Sequence, residues 1–191
     1  MRPGSCSGTQ TQNQIREAIL TKGWSDRANA FTQSFGSDDL DASSLMLPLV
    51  GFLPADDPRV LATIDATEER LTDDRGLVCR DRSRDSLEGQ EGTFLPCTFW
   101  LAQAQALARA GQPARARTVF ERAVGFVNDV GLLAEEVDPL SGELLGNFHH
   151  AFSHIGLVNA AWAISESELG EGPTGEKPAA RAVQRSGRAD Q

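Results

Sequence analysis

The sequence predicts an all-α fold of about three αα-hairpins. Three observations carry that expectation. Apolar residues recur at helical spacing through most of the middle of the chain. Gly111 and Pro113 punctuate two such stripes, stopping one helix and starting the next. Strand-like runs are brief, at Ala30–Phe35 and Leu77–Arg80.

In chain order, residues 1–13 are rich in Ser, Thr, Gln and Gly without an apolar period and are expected to be disordered. A helix is expected near Gln14–Lys22. Leu40–Val50 follows, apolar or small on nearly every side. Asp57-Pro58 then pairs a capping carboxylate with proline at the first helical position. Val60, Leu61, Ile64, Thr67 and Leu71 form its stripe, with Glu68, Glu69 and Arg70 toward water. Cys97, Trp100, Leu101, Ala104, Leu107 and Ala108 make the next stripe, closed by Gly111. Pro113 restarts the chain, and Ala116, Val119, Phe120, Ala123 and Val127 repeat the spacing until Gly131. So short a connection makes these two helices an antiparallel hairpin. Phe148–Ile164 is again apolar nearly all round. Because a helix apolar on every side is enclosed by others, the alternation of such helices with one-sided ones predicts two nested layers. Residues 166–191, with Gly170, Gly172, Pro173, Gly175 and Pro178, are expected to be a disordered tail, which leaves a working body of 14–165.

Composition removes several functions. With 27 acidic against 18 basic side chains, the net charge of −9 opposes binding to nucleic acid. No apolar run approaches the length of a membrane span, and no secretory leader is visible at the N-terminus. Cys6, Cys79 and Cys97 are an odd number at no metal-like spacing, and they read as reduced thiols of a cytoplasmic protein.

Three loops hold more chemistry than a helical bundle needs. Gln33–Ala42 ends in acidic residues suited to a helix N-terminus. In the second loop Arg80, a multidentate donor that with nearby aromatics would suit a hydroxyl-rich ligand, precedes Gly89-Gln90-Glu91-Gly92-Thr93-Phe94, where Glu91 is suited to the positive end of the helix that follows. In the third, Glu135 and Glu136 lie between Leu132-Leu133 and Val137, surroundings able to tune a carboxyl for acid/base work. Ala134–Asp138 is expected to be extended, so only one of the two carboxylates faces a pocket, and periodicity does not choose which. His150 and His154 stand four apart, half of a zinc site, but no third ligand is placed by sequence. No nucleophile elbow, Walker loop or dinucleotide glycine pattern occurs.

Three segments together carry a resemblance: AFTQSFGSDDLDASSLMLPLVGFLPADDPRV, GQEGTFLPCTFWLAQAQALARAG and LLAEEVDPLSGELLGNFHHAFSHIGLVNAAW. From Ile15 to Ile164 the chain resembles the C-terminal half of glycoside hydrolase family 15, which includes bacterial glucoamylases, glucodextranases and trehalases. The resemblance implies a partial (α/α)6 barrel, or toroid, with about three of its six hairpins. It implies inverting hydrolysis of an α-glucosidic oligosaccharide or trehalose, with no metal and no organic cofactor. It selects Glu135 as the general base, Arg80 as a hydrogen-bond donor to the terminal sugar, and Glu91 and Phe94 as pocket wall.

The chain also departs from the family pattern. The general acid of the family lies in an upstream Trp-Glu segment, whereas Trp24, Trp100 and Trp162 are followed by Ser, Leu and Ala. Cys79 stands where the family has tyrosine, and His149-His150 where relatives carry Pro-Gln. The first dozen residues look unrelated to the family, as if the frame began inside or beside a longer gene. Two functions follow as expectations. One is a fragment bearing the base but not the acid, inactive without a separate N-terminal half. The other is a non-catalytic helical remnant or carbohydrate-binding fragment.

Overall fold

The structure is a computed structural model that describes residues 5–82, 92–108 and 113–169. Its helices are α1 (Ser5–Lys22), α2 (Met46–Leu49), α3 (Pro58–Leu71), α4 (Leu95–Ala108), α5 (Pro113–Val124) and α6 (Ala151–Glu168). Two small antiparallel sheets join them. In one, β1 (Trp24–Ser25) pairs with β2 (Ala30–Phe31). In the other, β4 (Ala134–Val137) lies between β3 (Thr93–Phe94) and β5 (Leu144–Phe148). The fold is mainly helical, as expected, but the second sheet proves to be the platform of the candidate site.

Local chemistry explains the best-defined elements. Asp57 caps α3 by accepting the Arg59 N–H at 2.8 Å, and Pro58 opens the helix. Val60, Ile64, Thr67 and Leu71 bury the face their spacing marks out. Helices α4 and α5 form the expected hairpin, with the Phe99 and Phe120 rings 5.8 Å apart across it. Helix α6 lies against α4 where Gly156 faces Phe99. A Cβ on Gly156 would sit 3.0 Å from the Phe99 Cβ, so the two helices approach this closely only over a glycine. Leu45, Leu77, Leu95, Phe99, Leu101 and Leu133 are the large side chains at the centre of the core.

Several expectations are corrected. Helix α1 begins at Ser5 rather than near Gln14, so residues 8–13 are helical as well as exposed. Leu40–Val50 is not one helix. Asp41 accepts the Ser43 N–H at 2.7 Å and starts a 3-10 turn at Ala42–Leu45, and only then does α2 follow. Helix α5 ends at Val124 instead of Gly131; beyond it the Phe126 and Val127 N–H groups bond three residues back, and Asn128 then collects the N–H groups of Val130 and Leu132 into a tight turn. The tail is helical as far as Glu168, where the carboxylate receives Arg117 at 2.6–2.7 Å; residues 170–191 lie outside those described.

The enclosed and one-sided helices also exchange roles. Helix α4 is buried on nearly all sides, because Ala102, Ala104 and Ala106 let neighbours approach where large residues leave off. Helix α6 buries Ser153, Gly156, Ala160, Ala163 and Ile164 but leaves Phe152, Ile155, Val158 and Trp162 exposed. Apolar spacing states which faces need covering. It does not state that this chain covers them.

Candidate active site

The site is built on the β4–β5 hairpin. Asp138 closes it by accepting the N–H groups of Leu140 and Ser141 at 2.8 and 2.6 Å, which suits the turn chemistry of an Asp before proline. Arg75 ties the hairpin to the rest of the fold. It donates to the Asp138 carbonyl at 2.8 Å and to Thr93 Oγ1 at 3.2 Å, while its Nε meets Asp73 Oδ2 at 3.0 Å.

The ladder is regular at Val137 opposite Leu144 and Glu136 opposite Leu145, then shifts, since Ala134 stands opposite Phe148. Gly146 and Asn147 therefore face the single residue Glu135. Such a bulge re-aims the groups beside it. Gly146, at φ +73°, takes the left-handed conformation the bulge requires, and a Cβ there would lie 2.8 Å from Glu135 Oε2. Freed from the ladder, the Asn147 N–H donates to Glu135 Oε2 at 2.9 Å, and the Asn147 side-chain amide donates to the same oxygen at 2.7 Å.

The other oxygen, Oε1, faces His150 Nε2 at 3.8 Å. His150 is the N-cap residue of α6, and its N–H reaches the Leu133 carbonyl at 2.9 Å. Its Nδ1 is 3.0 Å from Ser153 Oγ, and that buried hydroxyl donates to the Ala134 carbonyl at 2.7 Å. The segment before Glu135 is thus anchored to the first turn of α6. The Asn147 backbone N–H is the main influence holding the Glu135 carboxyl below its ordinary value. Partial burial pushes the other way, while the Asn147 amide and the charge of His150 assist the lowering. Glu135 is an ionised carboxylate with one oxygen gripped and one less engaged.

The remaining expected residues are placed as follows. Glu136 points elsewhere, since a Cβ on Gly92 would fall 2.6 Å from its Oε2. Phe94 pairs with Glu136 in the ladder, and its ring lies edge-on to that of His150 at 6.3 Å, so His150 meets both Phe94 and Glu135. Arg80 is 60% exposed, with Nε 3.9 Å from Oδ2 of the buried Asp41. The Arg80 carbonyl also accepts the Ala42 N–H at 2.8 Å, and the neighbouring Val78 carbonyl accepts the Phe94 N–H at 3.1 Å. One backbone network therefore joins the Arg80 segment to the sheet. Glu91 lies outside the described residues.

Sequence reasoning missed Asn147, Gly146, Ser153 and Arg75. A Gly-Asn pair inside an apolar run is the sequence signal by which such a bulge can be found. The histidine pair is not arranged as half of a metal site. His154 Nδ1 is 2.8 Å from the His150 carbonyl, and the Leu133 N–H reaches its Nε2 at 3.4 Å. Among the described residues no three His, Cys, Asp or Glu side chains converge as a metal-holding group, and no helix is long and apolar enough to cross a membrane.

Comparison with known proteins adds the following. The sequence profile of Glycosyl hydrolases family 15 matches residues 2–162, a span that takes in the first dozen residues. A trehalase of Mycolicibacterium smegmatis is 44% identical over 158 residues, covering 81% of this chain and 23% of its own length. A trehalase of Thermoplasma volcanium is 39% identical over 158 residues, covering 83% of this chain and 25% of its own length. The chain thus spans about a quarter of each of these curated relatives. Among solved structures, a glycosidase with one glutamate replaced by alanine, in complex with glucose, superposes with a TM-score of 0.69 at 22% identity. That match covers 85% of this chain and 45% of the other, and shows a shared fold.

Proposed function

The chain belongs to glycosyl hydrolases family 15, and we propose that it supplies the general-base half of an inverting α-glucosidase acting on trehalose or a short α-glucosidic oligosaccharide. One observation carries the reading. The bulge leaves Glu135 ionised, with Oε2 held by Asn147 and Oε1 free of that grip. A base needs that state: an ionised carboxylate fixed in direction by one oxygen, with the other able to accept a proton from water.

In the inverting reaction Oε1 of Glu135 takes a proton from a water that attacks the anomeric carbon. A second carboxyl group, protonated, delivers its proton to the leaving oxygen from the opposite side of the bond. The two carboxyl groups of such a pair stand about 6.5–9.5 Å apart so that the water fits between them. No residue of this chain matches the acid of the family, so the acid comes from a complementary half. In this reading Arg80 donates to sugar hydroxyls, and its exposure and its anchoring through Asp41 and the Ala42 backbone support that role. Phe94 backs the site through His150.

In this reading the helices form about three of the six hairpins of an (α/α)6 toroid. The open face of α6, with Phe152, Ile155, Val158 and Trp162, is where the complementary half closes the ring. Trehalose is the leading substrate because the similar curated proteins are named trehalases.

The test joins this chain to the N-terminal part of the Mycolicibacterium smegmatis trehalase and measures glucose released from trehalose. The joined protein should release glucose and lose that activity on Glu135→Gln, while the chain alone releases none. Release that survives Glu135→Gln would overturn the assignment of the base. A folded joined protein with no release would favour the non-catalytic, sugar-binding reading.

A further inference from the structure

The hydrogen bonds around His150 fix more than its position. Ser153 Oγ carries one proton and donates it to the Ala134 carbonyl at 2.7 Å. Toward His150 Nδ1, 3.0 Å away, the hydroxyl can then only accept, so the proton of that contact belongs to Nδ1. A neutral imidazole has a single N–H. Neutral His150 is therefore the Nδ1–H tautomer, and its bare Nε2 lone pair faces Glu135 Oε1 at 3.8 Å. Only the imidazolium has an N–H to offer that oxygen.

The surroundings leave this contact as the electrostatic partner of the ring. From β3 it meets the ring of Phe94 at 6.3 Å, and from α6 the ring of Phe152 at 5.6 Å. On β5, Asn147 is committed to Glu135, and the Phe148 ring meets that of His149 at 6.4 Å. On α6, His154 turns its Nδ1 to the His150 carbonyl at 2.8 Å and receives the Leu133 N–H at Nε2. On β4, Glu136 lies toward Gly92. Among the described residues, the charged side chain against the His150 ring is Glu135.

We propose that His150 is a positioning residue for Glu135 whose hold depends on protonation: the imidazolium, with an N–H at Nε2, attracts Oε1 as an ion pair and competes for the oxygen a water would use, and the neutral Nδ1–H ring releases it. The catalytic meaning of this device rests on the reading of Glu135 as a base, but the device itself does not. Loss of the ring proton accompanies rising pH, so release comes as pH rises. The base is then clamped in acid and open above it.

The test is a titration of the full chain by NMR, reading the His150 ring nitrogens and the Glu135 carboxyl carbon. Neutral His150 should show the Nδ1–H signature, and Ser153→Ala should lose that preference. The Glu135 carbon should show a second inflection at the His150 midpoint, and His150→Phe, which keeps a ring between Phe94 and Phe152, should lose it. Glu135→Gln, isosteric and still able to meet Asn147, should lower the His150 midpoint. A neutral Nε2–H tautomer in the unsubstituted chain would overturn the proposal, as would an unchanged His150 midpoint in Glu135→Gln. None of these readouts needs hydrolysis, so a catalytically silent joined protein sinks the proposed function and leaves this inference standing on its own result.

Discussion

Asn147 grips Glu135 twice, with its backbone N–H and its side-chain amide both on Oε2, across a bulge that puts two residues opposite one. The backbone donor is the larger of the two influences on the carboxyl, so the fold itself, more than the asparagine side chain, keeps Glu135 ionised.

Asn147→Ala removes the side-chain donor and spares the backbone one. The Glu135 carboxyl should move up toward its ordinary value without reaching it, as read by carbon NMR. Stability should fall by about 1 kcal/mol. Because the folded carboxyl is depressed, its contribution is full above the unfolded value of about 4.3 and is lost as pH falls through the folded one. The destabilisation measured by urea unfolding should therefore be present at neutral pH and shrink in strong acid.

Gly146 and Gly92 separate the two adjacent carboxylates. A Cβ at Gly146 falls 2.8 Å from Glu135 Oε2, and one at Gly92 falls 2.6 Å from Glu136 Oε2. Gly146→Ala, strained as well at φ +73°, should cost about 1–2 kcal/mol and break the Asn147 contacts. In the joined protein it should reduce glucose release far more than Gly92→Ala does. The reverse ranking would move the base to Glu136.

Arg80 is exposed and its ion pair with Asp41 is long, so Arg80→Ala should change stability by no more than about 0.5 kcal/mol. Its effect belongs in the kinetics of the joined protein, where KM for trehalose should rise. A large drop in the unfolding midpoint without a change in KM would give Arg80 a structural role instead.

Phe152, Ile155, Val158 and Trp162 are 66%, 53%, 62% and 70% exposed along one face of α6. Purified alone, the chain should self-associate in light scattering and bind a hydrophobic dye through this face. Val158→Lys combined with Trp162→Lys should reduce both signals. The same pair of changes should weaken closure with a complementary half.

Much of this molecule is written locally. The stripe of α3, its Asp57 cap and the Asp138 turn each depend on residues near one another along the chain. Short-range chemistry of that kind is visible in spacing alone. The three segments that resemble family 15 are also legible in the sequence and point to the family whose profile matches the chain.

What tertiary structure decided depends on partners distant along the chain. The exchange of roles between α4 and α6 follows from what packs on each face. The environments of Glu135 and Glu136 are the sharpest case. Periodicity states that two neighbours in a strand point apart. Which of them meets Asn147 and His150 is set by the one-residue shift in register between β4 and β5 and by the anchoring of Ala134 to Ser153. A register is a relation between two strands, and neither strand contains it by itself.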